Sequence, residues 1–203
     1  MLRGADDQAM SDLGAAPGAI EDGDLVVYPT ETVYGLGADA LDPAAIERVF
    51  AAKGRPRDDP LSMGVPSVDA ALVHTEASAA ARACMEAFLP GPVTVICERA
   101  PEVPDALTGG RDRVGVRIPD HDLALDLLER AAPITATSAN RSGAGSVTHP
   151  DGLAPSIREA AAVVLDGGET PGAESTVVDP ERGEIHRRGA MADAVEAWLA
   201  ERA

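Results

Sequence analysis

Leu25-Val26-Val27-Tyr28 stops at Pro29, and Val114-Gly115-Val116-Arg117-Ile118 stops at Pro119. A proline has no N–H to give to a sheet ladder, so each apolar run reads as a strand with a defined end. Val93 to Cys97, Ile134 to Thr137 and a short extended segment near Leu61 to Val65 read the same way. The tail adds strands near 162–166, 175–179 and 184–188. Helical patterns lie between them. Asp42-Pro43 supplies an N-cap and a first-turn proline for a helix with Ile46, Val49 and Phe50 on one face. Further helices are predicted at roughly 67–73, 76–88 and 121–131, and a last one carries Val195, Trp198 and Leu199 on one face. Strands and helices mix throughout 21–203 without repeat or linker, which predicts one α/β domain on a mixed sheet. Residues 1–20, rich in Gly, Ala and Asp, read as a loose leader with room for a short helix.

The core of such a domain has few large rings to draw on. The 203 residues include two Phe, two Tyr and one Trp, so Ala, Val, Leu and Ile must fill it. A base-stacking RNA module, which needs exposed rings, is disfavoured for the same reason. Cys84 in an Ala-rich helical run and Cys97 in an apolar strand read as small buried hydrophobes rather than ligands or nucleophiles. No run reaches membrane-spanning length, and the acidic start of the chain is unlike a signal peptide. The expectation is a soluble, cytoplasmic chain with reduced thiols and no membrane partner.

Charge is lopsided, with 34 Asp and Glu against 17 Lys and Arg and a net charge of −17. All the cations are arginines except Lys53. An acidic, lysine-poor surface suits a salt-rich cytoplasm that screens its self-repulsion, although a GC-rich genome also replaces Lys by Arg. Lys53-Gly54-Arg55-Pro56-Arg57 stands out against that background. A helix C-terminus accounts for Lys53 through the dipole, but does not call for three cations in five residues. The pattern predicts a polyanion site in which an ammonium and guanidinium forks meet phosphate oxygens. Arg111, Arg113 and Arg117 form a second cationic stretch and Arg187-Arg188 a third, which suggests one shared anionic ligand. Arg117 alternates with Val116 and Ile118 and so projects from a face they do not share.

Other segments are weaker alone. Pro29-Thr30-Glu31-Thr32-Val33-Tyr34-Gly35-Leu36-Gly37 places hydroxyls after a strand, a usual position for ligand groups in α/β sheets. Its Gly-Leu-Gly matches a dinucleotide fingerprint only loosely, because that motif must open a helix, and here the helix opens later, at Asp42-Pro43. Thr137-Ser138-Ala139-Asn140-Arg141-Ser142-Gly143 is equally an ordinary polar turn or a small-residue loop that lets a nucleotide come close. Glu174-Ser175-Thr176-Val177-Val178-Asp179 is an alternating strand by default, with Ser175 a candidate for a cleft. His74, His121, His149 and His186 show no ligand spacing, so no metal site is predicted from the side chains.

Together these segments resemble the YrdC-like family, which includes threonylcarbamoyl-AMP synthases. The matching pieces are PTETVYGLG (29–37), KGRPRDDPL (53–61), LPGPVT (89–94), VGVRIPDH (114–121), TSANRSG (137–143) and ESTVVD (174–179), followed by an Arg-x-Gly element at 187–189. The resemblance implies an open, twisted α/β fold with flanking helices and a positively charged concave surface. It implies an enzyme, a nucleotidyltransferase. L-threonine and bicarbonate would form a carbamate that attacks the α-phosphorus of ATP, giving threonylcarbamoyl-AMP and pyrophosphate. A partner complex would then modify tRNA, and a homodimer is compatible with the family.

By motif, Thr32, Arg117, Thr137 and Ser175 would surround threonine, with Arg117 gripping its carboxylate as a fork. Lys53, Arg55, Asp59, Arg113, Ser138, Ala139, Asn140, Val147 and Arg188 would line the ATP site, with Lys53 and Arg55 as the catalytic pair. Such chemistry relies on positioning and charge neutralisation, with Mg2+ held mainly by ATP and water. One departure stands out: Gly64 replaces a histidine found in many relatives. The chain also stops soon after the closing motif, like the short form of the family. The competing readings are a non-catalytic RNA-binding or ribosome-associated module on the same fold, and a sister enzyme that activates another amine.

Overall fold

A computed structural model describes residues 3–202, with side chains placed from residue 12 onward. Among these residues nine strands form one open mixed sheet: β1 (Leu25–Tyr28), β2 (Gly35–Gly37), β3 (Ser62–Gly64), β4 (Val93–Glu98), β5 (Arg113–Arg117), β6 (Ile134–Ser138), β7 (Ala161–Val164), β8 (Thr176–Asp179) and β9 (Glu184–Arg187). Their order is β7-β1-β2-β6-β3-β5-β4-β8-β9. β1 with β7, β3 with β5 and β4 with β8 are parallel, and the other neighbours are antiparallel. The helices are α1 (Arg3–Glu21), α2 (Pro43–Lys53), α3 (Val68–Val73), α4 (Ala79–Phe88), α5 (Asp105–Thr108), α6 (Asp122–Ala131), α7 (Pro155–Ala160) and α8 (Ala192–Ala200). None of the described helices is long and apolar enough to cross a membrane.

Two hydrophobic clusters divide the sheet by face. Leu25, Val27, Leu36, Met63, Val95 and Val116 join Ile46, Val49 and Phe50 of α2 and Cys84 and Met85 of α4. Val26, Tyr28 and Ile134 instead join Leu13, Ala16 and Ile20 of α1 and Leu127 and Leu128 of α6. Val26 and Tyr28 alternate with Leu25 and Val27, so the clusters lie on opposite faces. The α1–α6 pair covers its face at the β1–β6 end and leaves the β3–β5–β4–β8 part open. Both cysteines are free and buried, and burial pushes their thiols up to about 12, so they fill space rather than react.

Local chemistry sets the elements that flank the opening. Asp42 caps α2 by accepting from Ala44 N–H at 2.9 Å, and Pro43 takes the first position, where no N–H is needed. Gly54 ends the helix with φ 60°, the left-handed conformation that glycine adopts without a Cβ clash.

The structure departs from the sequence reading at several places, among them the short helices α5 and α7, which were not expected. Residues 3–20 of the expected leader, where only a short helix was allowed for, form with Glu21 the 19-residue helix α1, whose Leu13, Ala16 and Ile20 lie one turn apart on a buried stripe; Met1 and Leu2 lie outside the described residues. Gly35-Leu36-Gly37, for which no strand was expected, is strand β2. A Cβ on Gly35 would stand 2.7 Å from Tyr28 Cζ and one on Gly37 would stand 2.9 Å from Ile134 Cδ1, so these glycines make room for side chains of neighbouring strands rather than for a pyrophosphate.

Candidate functional site

Strand alternation builds the floor of a cleft on the uncovered part of the sheet. β5 turns Val114 and Val116 into the core and presents Arg113, Gly115 and Arg117 on the other face. Neighbouring strands add Ser62, Thr94, Ile96, Ala136, Ser138, Val177 and Asp179. Thr30, Thr32, Arg55, Asp59, Ser175 and Arg187 complete a hollow of about 560 Å3, a size that suits a nucleotide or comparable ligand. Gly115 keeps the floor low, because a Cβ there would meet Ser62 Oγ at 2.7 Å and Thr94 Cγ2 at 3.0 Å. Among the described residues Arg55, Arg111, Arg113, Arg117, Arg182 and Arg187 line the hollow, against the carboxylates Asp59, Glu174 and Asp179. A chain of net charge −17 therefore holds a positive cavity.

Arg117 is 7% exposed and already engaged. Its Nη1 donates to the Gly91 carbonyl and, at 3.1 Å, to the Val93 carbonyl; Nη2 donates to Glu31 Oε1 at 2.7 Å and Thr32 Oγ1 at 3.3 Å. Burial lowers its pKa, and the Glu31 charge works against that. The fork expected to be free for a carboxylate is thus occupied. Thr32 is braced by Thr30, whose hydroxyl lies 2.8 Å from its own. Ser175 Oγ lies 3.1 Å from Thr94 Oγ1 and accepts from Arg187 Nη2 at 2.8 Å. Thr32, Arg117, Thr137 and Ser175 all line the same cleft.

The phosphate-side residues divide. Arg55 lines the cleft, donating to the Asp59 and Pro60 carbonyls at 3.0 Å each and pairing with the Asp59 carboxylate at 3.0 Å. Arg113 lines it too, fixed by Asp179 at 2.8 Å and Glu181 at 2.5 Å. Lys53 does not reach it as a free ammonium. It is 1% exposed, and Nζ donates to the carbonyls of Ser138 and Asn140, while Ser142 N–H returns a bond to the Lys53 carbonyl at 2.9 Å. Burial, then the charge of Arg55, brings its pKa down to about 8. Lys53 here fastens the loop after β6.

The other motif residues differ in their placement. Ser138 lines the cleft, whereas Ala139, Asn140 and Val147 are buried and do not; Ala139 N–H is bonded to the Tyr34 carbonyl at 2.7 Å. Arg188 points away, pairing with Asp193 and Glu196 of α8 at 2.7 and 3.0 Å, and Arg187 takes the inward place. Gly64 pairs with Arg117 across β3 and β5, and a Cβ there would find Ala136 Cβ and Leu128 Cδ2 at 3.5 Å. Sequence reasoning gave no separate weight to Glu31, Thr94 or Asp179. The available signals were a carboxylate between two threonine hydroxyls and polar residues spaced by two on apolar strands.

A family model, Sua5/YciO/YrdC, described as telomere recombination, matches residues 18–189. The chain is 45% identical over 167 residues to a threonylcarbamoyl-AMP synthase of Pyrococcus abyssi, covering 81% of this chain and 49% of that protein. It is 38% identical over 176 residues to a putative threonylcarbamoyl-AMP synthase of Mycobacterium leprae, covering 85% and 80%. Thus it spans about half the length of the Pyrococcus relative, and likewise of one from Bacillus subtilis. The crystal structure of Pyrococcus abyssi Sua5 complexed with L-threonine superposes with a TM-score of 0.80 at 42% identity, over 89% of this chain and 54% of that one. Escherichia coli YciO, at 23% identity and the same TM-score over 90% of each chain, shares the fold.

Proposed function

The chain belongs to the Sua5/YciO/YrdC family, and from that premise we propose that it makes threonylcarbamoyl-AMP and pyrophosphate from ATP, L-threonine and bicarbonate. The observation that carries this reading is one cleft that gathers Thr32, Arg117, Thr137 and Ser175 beside the phosphate-side Arg55 and Arg113, in a chain 45% identical to a threonylcarbamoyl-AMP synthase. Threonine amine and bicarbonate combine with loss of water to a carbamate. A carbamate oxygen then bonds to the α-phosphorus as the bond to pyrophosphate breaks. Such a displacement needs in-line positioning and neutralised phosphate charge more than a covalent nucleophile. Arg55, Arg113 and Arg187 supply positive charge, and the glycine floor at Gly115 permits close approach.

Mg2+ fits as an ion carried in with the nucleotide. No three His, Cys, Asp or Glu side chains among the described residues converge on a metal. Mg2+ commonly takes one or two protein carboxylates together with phosphate oxygens and water, and Asp59, Glu174 and Asp179 line the cleft. When bound, it would neutralise phosphate charge. The product would pass to a cytoplasmic partner complex acting on tRNA. An RNA-binding module finds less support here, because the Pyrococcus relative at 45% identity is named a synthase.

Mass spectrometry of a reaction containing ATP, bicarbonate, Mg2+ and threonine tests the reading. Threonylcarbamoyl-AMP with equimolar pyrophosphate is expected. Release of ADP, or turnover independent of threonine, overturns it.

A further inference from the structure

Strand β5 lays a row of residues along the cleft floor, with Arg117 at one end, Gly115 in the middle and Arg113 at the other. At about 3.3 Å per residue, the two arginines stand about 13 Å apart along the strand. Arg111 precedes that row by two residues and lines the same cleft from an exposed position. Its surroundings differ from those of the other cleft arginines. Arg55, Arg113, Arg117, Arg182 and Arg187 each have a carboxylate oxygen between 2.7 and 3.7 Å away. Among the described residues Arg111 has no carboxylate partner; its Nη2 donates to the Asp58 carbonyl at 3.1 Å. Arg55 donates to the next two carbonyls of the same stretch, those of Asp59 and Pro60. Two guanidiniums therefore meet at 58–60, and the charge of one of them is not neutralised by a described side chain.

We propose that Arg111 is a further nucleotide-binding residue, which with Arg55 receives the pyrophosphate end of ATP. The assignment rests on the reaction proposed above and adds a direction to it. In-line displacement at the α-phosphorus sets the attacking carbamate and the departing pyrophosphate on opposite sides. With the amino acid beside Thr32, Arg117, Thr137 and Ser175, the reacting groups lie along β5 over the low floor at Gly115. Pyrophosphate then departs toward Arg113 and Arg111. That end carries most of the charge of ATP, and a guanidinium without a protein counter-ion meets phosphate oxygens with no carboxylate to displace.

Calorimetric titration of the full chain with ATP, AMP and inorganic pyrophosphate, each with Mg2+, tests this. Arg111→Ala should weaken ATP and pyrophosphate about tenfold, as expected for loss of a charge-assisted hydrogen bond, and change AMP by less than about twofold. Unchanged ATP and pyrophosphate affinity in that variant overturns the assignment alone. An equal loss for AMP also overturns it, because Arg111 would then serve the α-phosphate or the cleft as a whole. Arg111→Gln keeps a donor for the Asp58 carbonyl but lacks the charge, so it should lose about as much as Arg111→Ala. Full affinity in Arg111→Gln would give Arg111 the task of holding the 58–60 stretch and overturns the phosphate contact. A wild type that binds neither ATP nor pyrophosphate removes the nucleotide reading itself, and this assignment with it.

Discussion

Lys53 Nζ donates to the Asn140 carbonyl oxygen at 2.7 Å, fastening the last turn of α2 to the loop that follows β6. Burial holds the ammonium pKa at about 8, against 10.5 for the ordinary side chain. Between those values the unfolded chain keeps a proton that the folded chain has released. The contribution of this group to stability therefore rises as pH climbs through the window, by at most about 3 kcal/mol. Urea unfolding of wild type and Lys53→Met at pH 7.5 and pH 10 isolates the effect, since tyrosines and cysteines are common to both. The stability of wild type relative to the variant should increase at the higher pH; a difference that does not change with pH refutes the assignment.

Arg55 and Arg57 provide a contrast within one loop. Arg55 faces the cleft, whereas Arg57 is exposed and paired with Glu47 at 2.6 Å. Arg55→Ala should weaken ATP about ten- to a hundredfold through loss of charge-assisted hydrogen bonds. Arg55→Lys should recover part of that, because an ammonium lacks the planar fork. Arg57→Ala should bind ATP like the parent. Titration of ATP into the three folded variants checks all of this.

Arg187 and Arg188 are neighbours with opposite surroundings. Arg187→Ala removes the donor to Ser175 Oγ and a cleft charge, and should lower ligand affinity about tenfold or more. Arg188→Ala breaks exposed pairs to α8 that contribute little and should leave affinity unchanged. Equal losses in both variants would contradict the inward and outward placement.

Gly35→Ala should destabilise the fold by about 1–3 kcal/mol, because the new methyl group would overlap the Tyr28 ring. Gly14→Ala meets nothing within 4 Å on α1 and should stabilise by about 0.5–1 kcal/mol through helix propensity. Urea midpoints of the two variants should move in opposite directions.

Much of the scaffold is written locally. Pro29 and Pro119 end strands, Asp42-Pro43 starts α2, and alternation on β5 puts Arg117 on the face opposite Val116, because each of these effects acts within a few residues. β2 is not written locally. Gly-Leu-Gly has little strand propensity, and its place follows from the space Tyr28 and Ile134 need. α1 contains Gly14, Pro17 and Gly18, which read as loop, and is held by packing against α6. The inward arginine of the closing motif is hidden by a register shift between Val177 and Val178, which pairs Val177 with Arg187 and resets the parity along β9. Motif order brings Lys53 near the site, but only three-dimensional packing shows its ammonium bonded to backbone carbonyls.

The concentration of arginines in one hollow of a strongly acidic molecule has a consequence for encounter. Beyond a Debye length of about 8 Å at physiological salt, charges on the surface are largely screened; within it, an approaching anion meets a mostly acidic exterior and, at the cleft, a cluster of arginines. An anion short enough to enter whole escapes the repulsion once inside. A long polyanion keeps most of its charge against the outer surface even when one end is seated. The molecule thus sorts anions by length before any side chain reads their chemistry.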